Sequence, residues 1–307
     1  MKYSKEQQEA INTIDGQVCI ISVAGSGKTS VIVARANNII KSGVRPYRIL
    51  VLTFSKAAAV QMADRYKMQY GSDGIRFSTI HSLCYSVLAR AYNLKAEDIL
   101  SEAGRLKFFT EFHRQLLYKR VSGVPDDFDE YYRKCNEYIN SMAVGTADNQ
   151  ESKSSSKAYL EITFSQYKEF KKNNKKLDFD DMILYCHKCL SSNKKELEYW
   201  QGIFDYIMVD EFQDTGTLQA EIIYMVADLR KNVCVVGDDD QSIYGFRGAD
   251  SSIFREFSRK YPGSVQIILG TNYRSLPYII EGADKVIRNN ENRICLLYTS
   301  DAADDLL

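Results

Sequence analysis

Ala24-Gly25-Ser26-Gly27-Lys28-Thr29 lies between a β-branched run, Val18-Cys19-Ile20-Ile21-Ser22-Val23, and a segment of helical length from Ser30 to Ile40. Glycines at such a junction let successive backbone N–H groups turn toward one point, and with the helix N-terminus they make a cradle for phosphate oxygens. Lys28 is spaced to reach the β/γ-phosphates of a nucleotide and Thr29 to ligate Mg²⁺. The strict pattern wants glycine where this chain has Ser22, and a plain Gly-rich turn with a solvated lysine is the competing reading. Farther on, Ile207-Met208-Val209-Asp210-Glu211 is an apolar run closed by two acids. Phosphoanhydride hydrolysis needs one carboxylate for the metal and a second to orient or deprotonate water, which assigns Asp210 to the metal and Glu211 to the water. Without the glycine loop, the same pair reads equally well as a helix cap. Cys186-His187-Lys188-Cys189 invites a zinc reading, but no second Cys/His pair stands at ligand spacing, so two thiols one turn apart on a helix are the better account.

These groups need elements to hold them. Besides residues 18–23, short continuous apolar runs occur at Ile49–Thr53, Phe204–Asp210, Val233–Gly237 and Val265–Leu269. An Ala-rich helix is predicted from Lys56 to about Tyr70. Continuous apolar strands alternating with helices predict an α/β fold whose parallel sheet is covered on both faces, with ligands at the carboxyl ends of the strands. Between about Ala91 and Trp200 the strand signals vanish and Tyr, Lys and Glu become common, which predicts a helical insertion; residues 151–157 read as a surface loop.

The chain has 307 residues, 45% hydrophobic and 26% charged, which excludes disordered, collagenous and disulfide-scaffold classes. Lys plus Arg and Asp plus Glu each number 40, yet residues 1–120 carry a net +9 and the remainder a net −9. No run approaches the roughly 18 apolar residues of a membrane span, and no apolar signal core follows Met1, so a cytoplasmic location is expected. Seven scattered cysteines suit reduced core thiols better than a disulfide framework.

Several blocks in order carry a resemblance. Asp210-Glu211-Phe212-Gln213-Asp214, the run from Val236 to Ala249 containing Gly237-Asp238-Asp239-Asp240-Gln241-Ser242-Ile243-Tyr244-Gly245-Phe246-Arg247-Gly248, and Asn272-Tyr273-Arg274-Ser275 together resemble the UvrD/PcrA/Rep family of superfamily 1 DNA helicases. Lys5-Glu6-Gln7-Gln8-Glu9-Ala10 is similar to that family's adenine-reading motif, residues 53–58 and 78–82 to two of its DNA-contacting motifs, and Leu177-Asp178-Phe179-Asp180-Asp181 to the block that ends its helical insertion. The resemblance implies that Gln7 reads the adenine edge, Tyr273 stacks on the base, Gln241 senses the γ-phosphate and Arg274 neutralises charge developing on it. It also implies that Phe54, Phe179, Tyr244 and Phe246 meet single-stranded bases while His81 and Arg247 touch the backbone. Phe246 replaces the family's more usual Trp, and Val23, Ser22 and Ser30 depart from its usual residues around the loop. The basic first 120 residues hold two of the DNA motifs, so phosphate contacts there would make binding fall with salt.

The resemblance further implies an ATP-dependent, 3′ to 5′ DNA helicase using ATP and Mg²⁺ on single strands and single-strand/duplex junctions, away from membranes and as a monomer. The implied organisation is a RecA-like P-loop NTPase lobe in residues 1–90 and 201–274, a helical insertion domain in 91–200, and the start of a second RecA-like lobe in 275–294. Residues 295–307 are similar to adaptor read-through and are expected to be foreign. Lacking most of the second lobe, the chain is expected to hydrolyse ATP slowly and not to unwind. Two other classes compete: a P-loop ATPase switch indifferent to DNA, against which the aromatic-bearing blocks argue, and a single-strand binding module without catalysis, against which Lys28, Thr29, Asp210 and Glu211 argue.

Overall fold

The structure, a computed structural model, describes residues 2–71, 74–144, 155–241, 253–287 and 299–300. Six strands form one entirely parallel sheet: β1 (Gln17–Ser22), β2 (Ile49–Thr53), β3 (Arg76–Thr79), β4 (Tyr206–Val209), β5 (Val233–Gly237) and β6 (Val265–Leu269), in the order β3-β2-β4-β5-β1-β6. The α/β expectation holds, and all five expected strands are present. Strand β3 is an addition. Three of the four residues in its sequence Arg-Phe-Ser-Thr are polar and its first two residues are only partly buried, as suits an edge strand, so it shows no continuous apolar run. β2 and β5, inside the sheet, are buried at every position.

Helices connect the strands: α1 (Lys5–Asn12) precedes the sheet, α2 (Lys28–Lys41) follows β1, and α3 (Lys56–Tyr70) follows β2. Val31, Ile32, Val33, Ala36 and Ile39 of α2 are wholly buried against Ile20, Val51 and Val236 in one apolar cluster. Burying each of the valines and isoleucines contributes about 1.5–3 kcal/mol. Arg35 lies inside too, 1% exposed, and its two terminal nitrogens donate to the carbonyls of Ala10 at 2.6 Å and Ile14 at 3.0 Å. A buried guanidinium therefore closes the orphan carbonyls at the end of α1 and fixes that helix to α2.

The chain divides into two compact units. One takes residues up to Leu83 and resumes at Leu190; the other includes Cys84 to Cys189. The second unit is built from α5 (Glu102–Tyr118), α6 (Phe128–Val144), α7 (Ser155–Asn173) and most of α4 (Ile80–Tyr92) and α8 (Phe179–Ser192). Its core is aromatic, with Phe109, Tyr131, Tyr159 and Tyr167 at most 1% exposed. The start of α8 is held by a reciprocal cap: Asp181 N–H donates to Asp178 Oδ1 at 2.8 Å and Asp178 N–H to Asp181 Oδ2 at 3.1 Å. Lys171 Nζ bridges both carboxylates at 2.7 and 2.6 Å, and Tyr167 OH donates to Asp178 at 2.9 Å. Burial alone would raise the Asp178 carboxyl, but Lys171 outweighs it and the net shift is downward. Helices α9 (Lys194–Ile203), α10 (Thr217–Ala227), α11 (Ile253–Lys260) and α12 (Pro277–Ile287) belong to the first unit. No helix among the described residues is long and apolar enough to cross a membrane.

Candidate nucleotide-binding site

Between β1 and α2 the chain turns through Gly25 at φ +71° and Gly27 at φ +83°. Left-handed backbone at both positions is what glycine supplies without strain. Gly27 is also the N-cap of α2 and has no side chain to cap it, so no side-chain hydrogen bond closes the helix start. The first-turn N–H groups and the positive end of the helix dipole thus remain for an anion. Crowding allows only glycine at position 25: a Cβ there would stand 2.7 Å from Asn272 Oδ1 and 2.9 Å from Arg274 Cβ. Ala24 and Ser26 complete the loop, and Ser26 Oγ is buried without a hydrogen-bond partner. Lys28 and Thr29 occupy the first turn of α2.

The acids converge on this loop. Asp210 and Glu211 follow β4, two strands away from β1 across β5. Lys28 Nζ stands 3.1 Å from Glu211 Oε2. Asp210 is 8% exposed, and its Oδ1 is buried with no hydrogen-bond partner. Burial, reinforced by the neighbouring Glu211 charge, pushes the Asp210 carboxyl up to about 7. An orphaned buried carboxylate oxygen in this state calls for a cation or a proton. The donor set therefore fits Mg²⁺, with Asp210 and Thr29 as the residues that would hold it. Asp214, in the following 3₁₀ turn, is raised to about 6 by burial and by Glu211, and its Oδ1 is likewise unpartnered.

Gln7 is the residue through which α1 meets the loop. Ser4 caps α1 in a reciprocal box with Gln7, whose Oε1 accepts from Ser4 N–H at 3.0 Å, and Gln7 Nε2 donates to the Ser26 carbonyl at 2.9 Å. A primary amide has two N–H donors and two carbonyl lone pairs, so one of each is still available, the pair that an adenine edge requires. Tyr273 lines the same small pocket as Gln7 and Ser26, its N–H donating to the Gly25 carbonyl at 3.0 Å, and the residue is 45% exposed. Arg274 follows it with its N–H, like that of Ser275, held by Asn272 Oδ1 at 2.8 and 2.9 Å. Gln241 is tied to the end of β5 by donating from Nε2 to Asp238 Oδ2 at 2.5 Å.

The structure brings Gln7, residues 24–29, Asp210, Glu211, Tyr273 and Arg274 together around one loop, and Gln241 into the acid network at the neighbouring strand end. Of the residues expected to meet nucleic acid, Phe54 follows β2 and is 42% exposed, while Phe179 opens α8 and is 44% exposed. His81 lies in the first turn of α4, where burial lowers its pKa and favours the neutral ring. Tyr244, Phe246 and Arg247 lie outside the described residues. Both Cys186 and Cys189 are buried; the Cys186 thiol is pushed up by its hydrogen bond with Cys84 and by burial, and no cluster of three or more His, Cys, Asp or Glu side chains that could hold a metal ion, here or elsewhere, occurs among the described residues. Gln213 and Asn272, which fasten the acids and the loop, have no role that the sequence alone assigns. The available signal was a polar residue inside a motif of otherwise chemical or apolar residues.

Comparison with known proteins agrees with this geometry. Residues 3–262 match the UvrD/REP helicase N-terminal domain. The chain is 36% identical over 298 residues to the ATP-dependent DNA helicase PcrA of Bacillus subtilis, covering 94% of this chain and 39% of that protein. It is 34% identical over 303 residues to the PcrA of Staphylococcus aureus, covering 94% and 40%. The chain thus spans about two fifths of the length of these curated relatives.

Proposed function

We propose, because this chain belongs to the UvrD/REP helicase N-terminal family, that its sheet unit binds and hydrolyses ATP as one half of a DNA helicase motor moving 3′ to 5′ along single strands. The observation that carries the reading is the combination of an uncapped glycine cradle after β1, the Lys28–Glu211 pair at 3.1 Å and the orphaned Asp210 oxygen after β4.

In this reading the loop N–H groups and Lys28 bind the phosphates. Mg²⁺, when bound, neutralises phosphate charge. Phosphate entering the loop competes with Glu211 for Lys28, which leaves the Glu211 carboxylate as an acceptor for the attacking water. Gln7 offers its remaining donor and acceptor to the adenine edge, Tyr273 its exposed ring to the base, and Gln241 and Arg274 the polar and cationic groups that respond to the terminal phosphate. Phe54 and Phe179 each present a half-exposed ring on which any base can stack, with His81 beside the backbone, so recognition of single strands tolerates any sequence. Residues 1–90 and 201–274 act as the motor lobe, 91–200 as its insertion and 275–294 as the beginning of a second lobe; the protein works as a cytoplasmic monomer at single-strand/duplex junctions.

The deciding experiment is ATP hydrolysis by the 307-residue chain with and without single-stranded DNA, for wild type and Glu211→Gln. The reading expects slow, DNA-stimulated turnover that the substitution removes. A rate indifferent to DNA, or unchanged in Glu211→Gln, would refute it.

A further inference from the structure

We propose that Gln213 is a positioning residue that ties the base Glu211 to the turn Asp238–Gln241, so that the carboxylate is aimed only while that turn stands in place. The inference rests on the reading of Glu211 as base and Gln241 as phosphate sensor.

Gln213 is 1% exposed and uses both ends of its amide. Nε2 donates to Glu211 Oε2 at 2.7 Å, and Oε1 accepts from Asp238 N–H at 3.1 Å. A carboxylate can only accept and a backbone N–H can only donate, so chemistry fixes the orientation of the amide. Asp238 continues the chain: its Oδ2 accepts from Gln241 Nε2 and its Oδ1 from Asp240 N–H at 3.2 Å. Three hydrogen bonds thereby connect Glu211 with Gln241 across the ends of β4 and β5. The end of β5 is shaped around the amide, since a Cβ at Gly237 would collide with Gln213 Oε1 and stand 2.8 Å from Phe254 Cζ.

Glu211 needs such a support. It sits at φ +52°, where non-glycine residues rarely stay without surrounding structure to hold them. Its other hydrogen-bond partner, Lys28, is the group that a phosphate would draw away. Gln213 is then the contact that keeps the carboxylate oriented through the reaction, and it passes any shift of the Gln241 turn to the base.

Gln213→Met keeps the length of the side chain and removes both hydrogen bonds; Gln213→Asn keeps the amide and is one methylene too short to span the gap. At saturating Mg-ATP, both are expected to hydrolyse at least about tenfold more slowly, a fraction of what a general base contributes. Affinity for a fluorescent ATP analogue should stay within about threefold, the pattern of a group acting only on the chemical step. In the ligand-free chain, hydrogen exchange at the Asp238 amide should be slow in wild type and accelerate in both variants. Gln213→Met combined with Gln241→Ala should lose less than the product of the single losses, because one chain is being cut twice. Rapid exchange at Asp238 in wild type, wild-type turnover in both variants while Glu211→Gln is inactive, or rate and affinity falling together would overturn the proposal. A Glu211→Gln chain as active as wild type would instead overturn the parent reading, and this one with it.

Discussion

Replacing Gly25 by alanine tests whether the loop is held by crowding as well as by backbone conformation. Gly16 supplies the control, because it too has a positive φ, +83°, but nothing lies within 4 Å of where its Cβ would be. At Gly16 alanine meets only the left-handed penalty of about 1–2 kcal/mol. Stiffening the unfolded chain offsets about 0.4–1 kcal/mol of that, leaving roughly 1 kcal/mol. At Gly25 the same balance applies, and the new methyl also stands 2.7 Å from Asn272 Oδ1 and 2.9 Å from Asn272 Cγ and Arg274 Cβ. Asn272 cannot swing aside without releasing the N–H groups of Arg274 and Ser275. Overpacking of this kind costs about 1–3 kcal/mol, so Gly25→Ala should lose about 2–4 kcal/mol in all. Urea unfolding of the two variants, compared through their midpoints at constant slope, reads the difference directly. Gly25→Ala should also weaken nucleotide binding, since Tyr273 and Arg274 move with Asn272, whereas Gly16→Ala should bind as wild type. Equal unfolding midpoints for the two variants would show that crowding by Asn272 is absent and that the argument for a rigid cradle is wrong.

Other parts of the structure give three further expected outcomes. Lys171→Met leaves the Asp178 and Asp181 carboxylates at the start of α8 without their cation, and thermal unfolding should report a loss of about 3–5 kcal/mol; a loss below about 1 kcal/mol would mean the network is not supporting the helical unit. Burial pushes the Asp238 carboxyl up to about 6, so the folded state favours its protonated form; the resulting stability is full below about pH 4, is lost as pH rises through 6, and amounts to on the order of 3 kcal/mol. Unfolding of the ligand-free chain at about pH 4 and about pH 7 should show that slope in wild type and a flatter one in Asp238→Asn, and identical slopes would refute the assignment. Phe54→Ala, at a ring 42% exposed, should weaken single-strand binding by the roughly 1–3 kcal/mol of one lost base stack while leaving the unfolding midpoint in place; unchanged affinity would remove Phe54 from the DNA surface.

What could be read in the sequence obeys a physical division. β1, β2 and β5 lie inside a parallel sheet covered on both faces, so burial demands apolar residues at nearly every position and the strands appear as runs. β3 lies at the sheet edge with only Ser78 and Thr79 buried, and no such demand marks it. The same division runs through the site. Gly25, Gly27, Lys28, Asp210 and Glu211 are recognisable because each function requires a residue type at a short, local spacing. Gln213 and Asn272 act across chain separations that no local pattern encodes: the amide of Gln213 meets Asp238 25 positions away, and Asn272 closes on the loop at Gly25. Their chemistry is that of an ordinary amide, and only the fold gives it a direction. Motif residues suggest the reaction, whereas the hydrogen bonds proposed to direct Glu211 join strand ends that are distant in sequence. Substitutions at Gln213 and Asn272 should accordingly alter rate and loop rigidity while every residue to which the sequence assigns a chemical role remains intact.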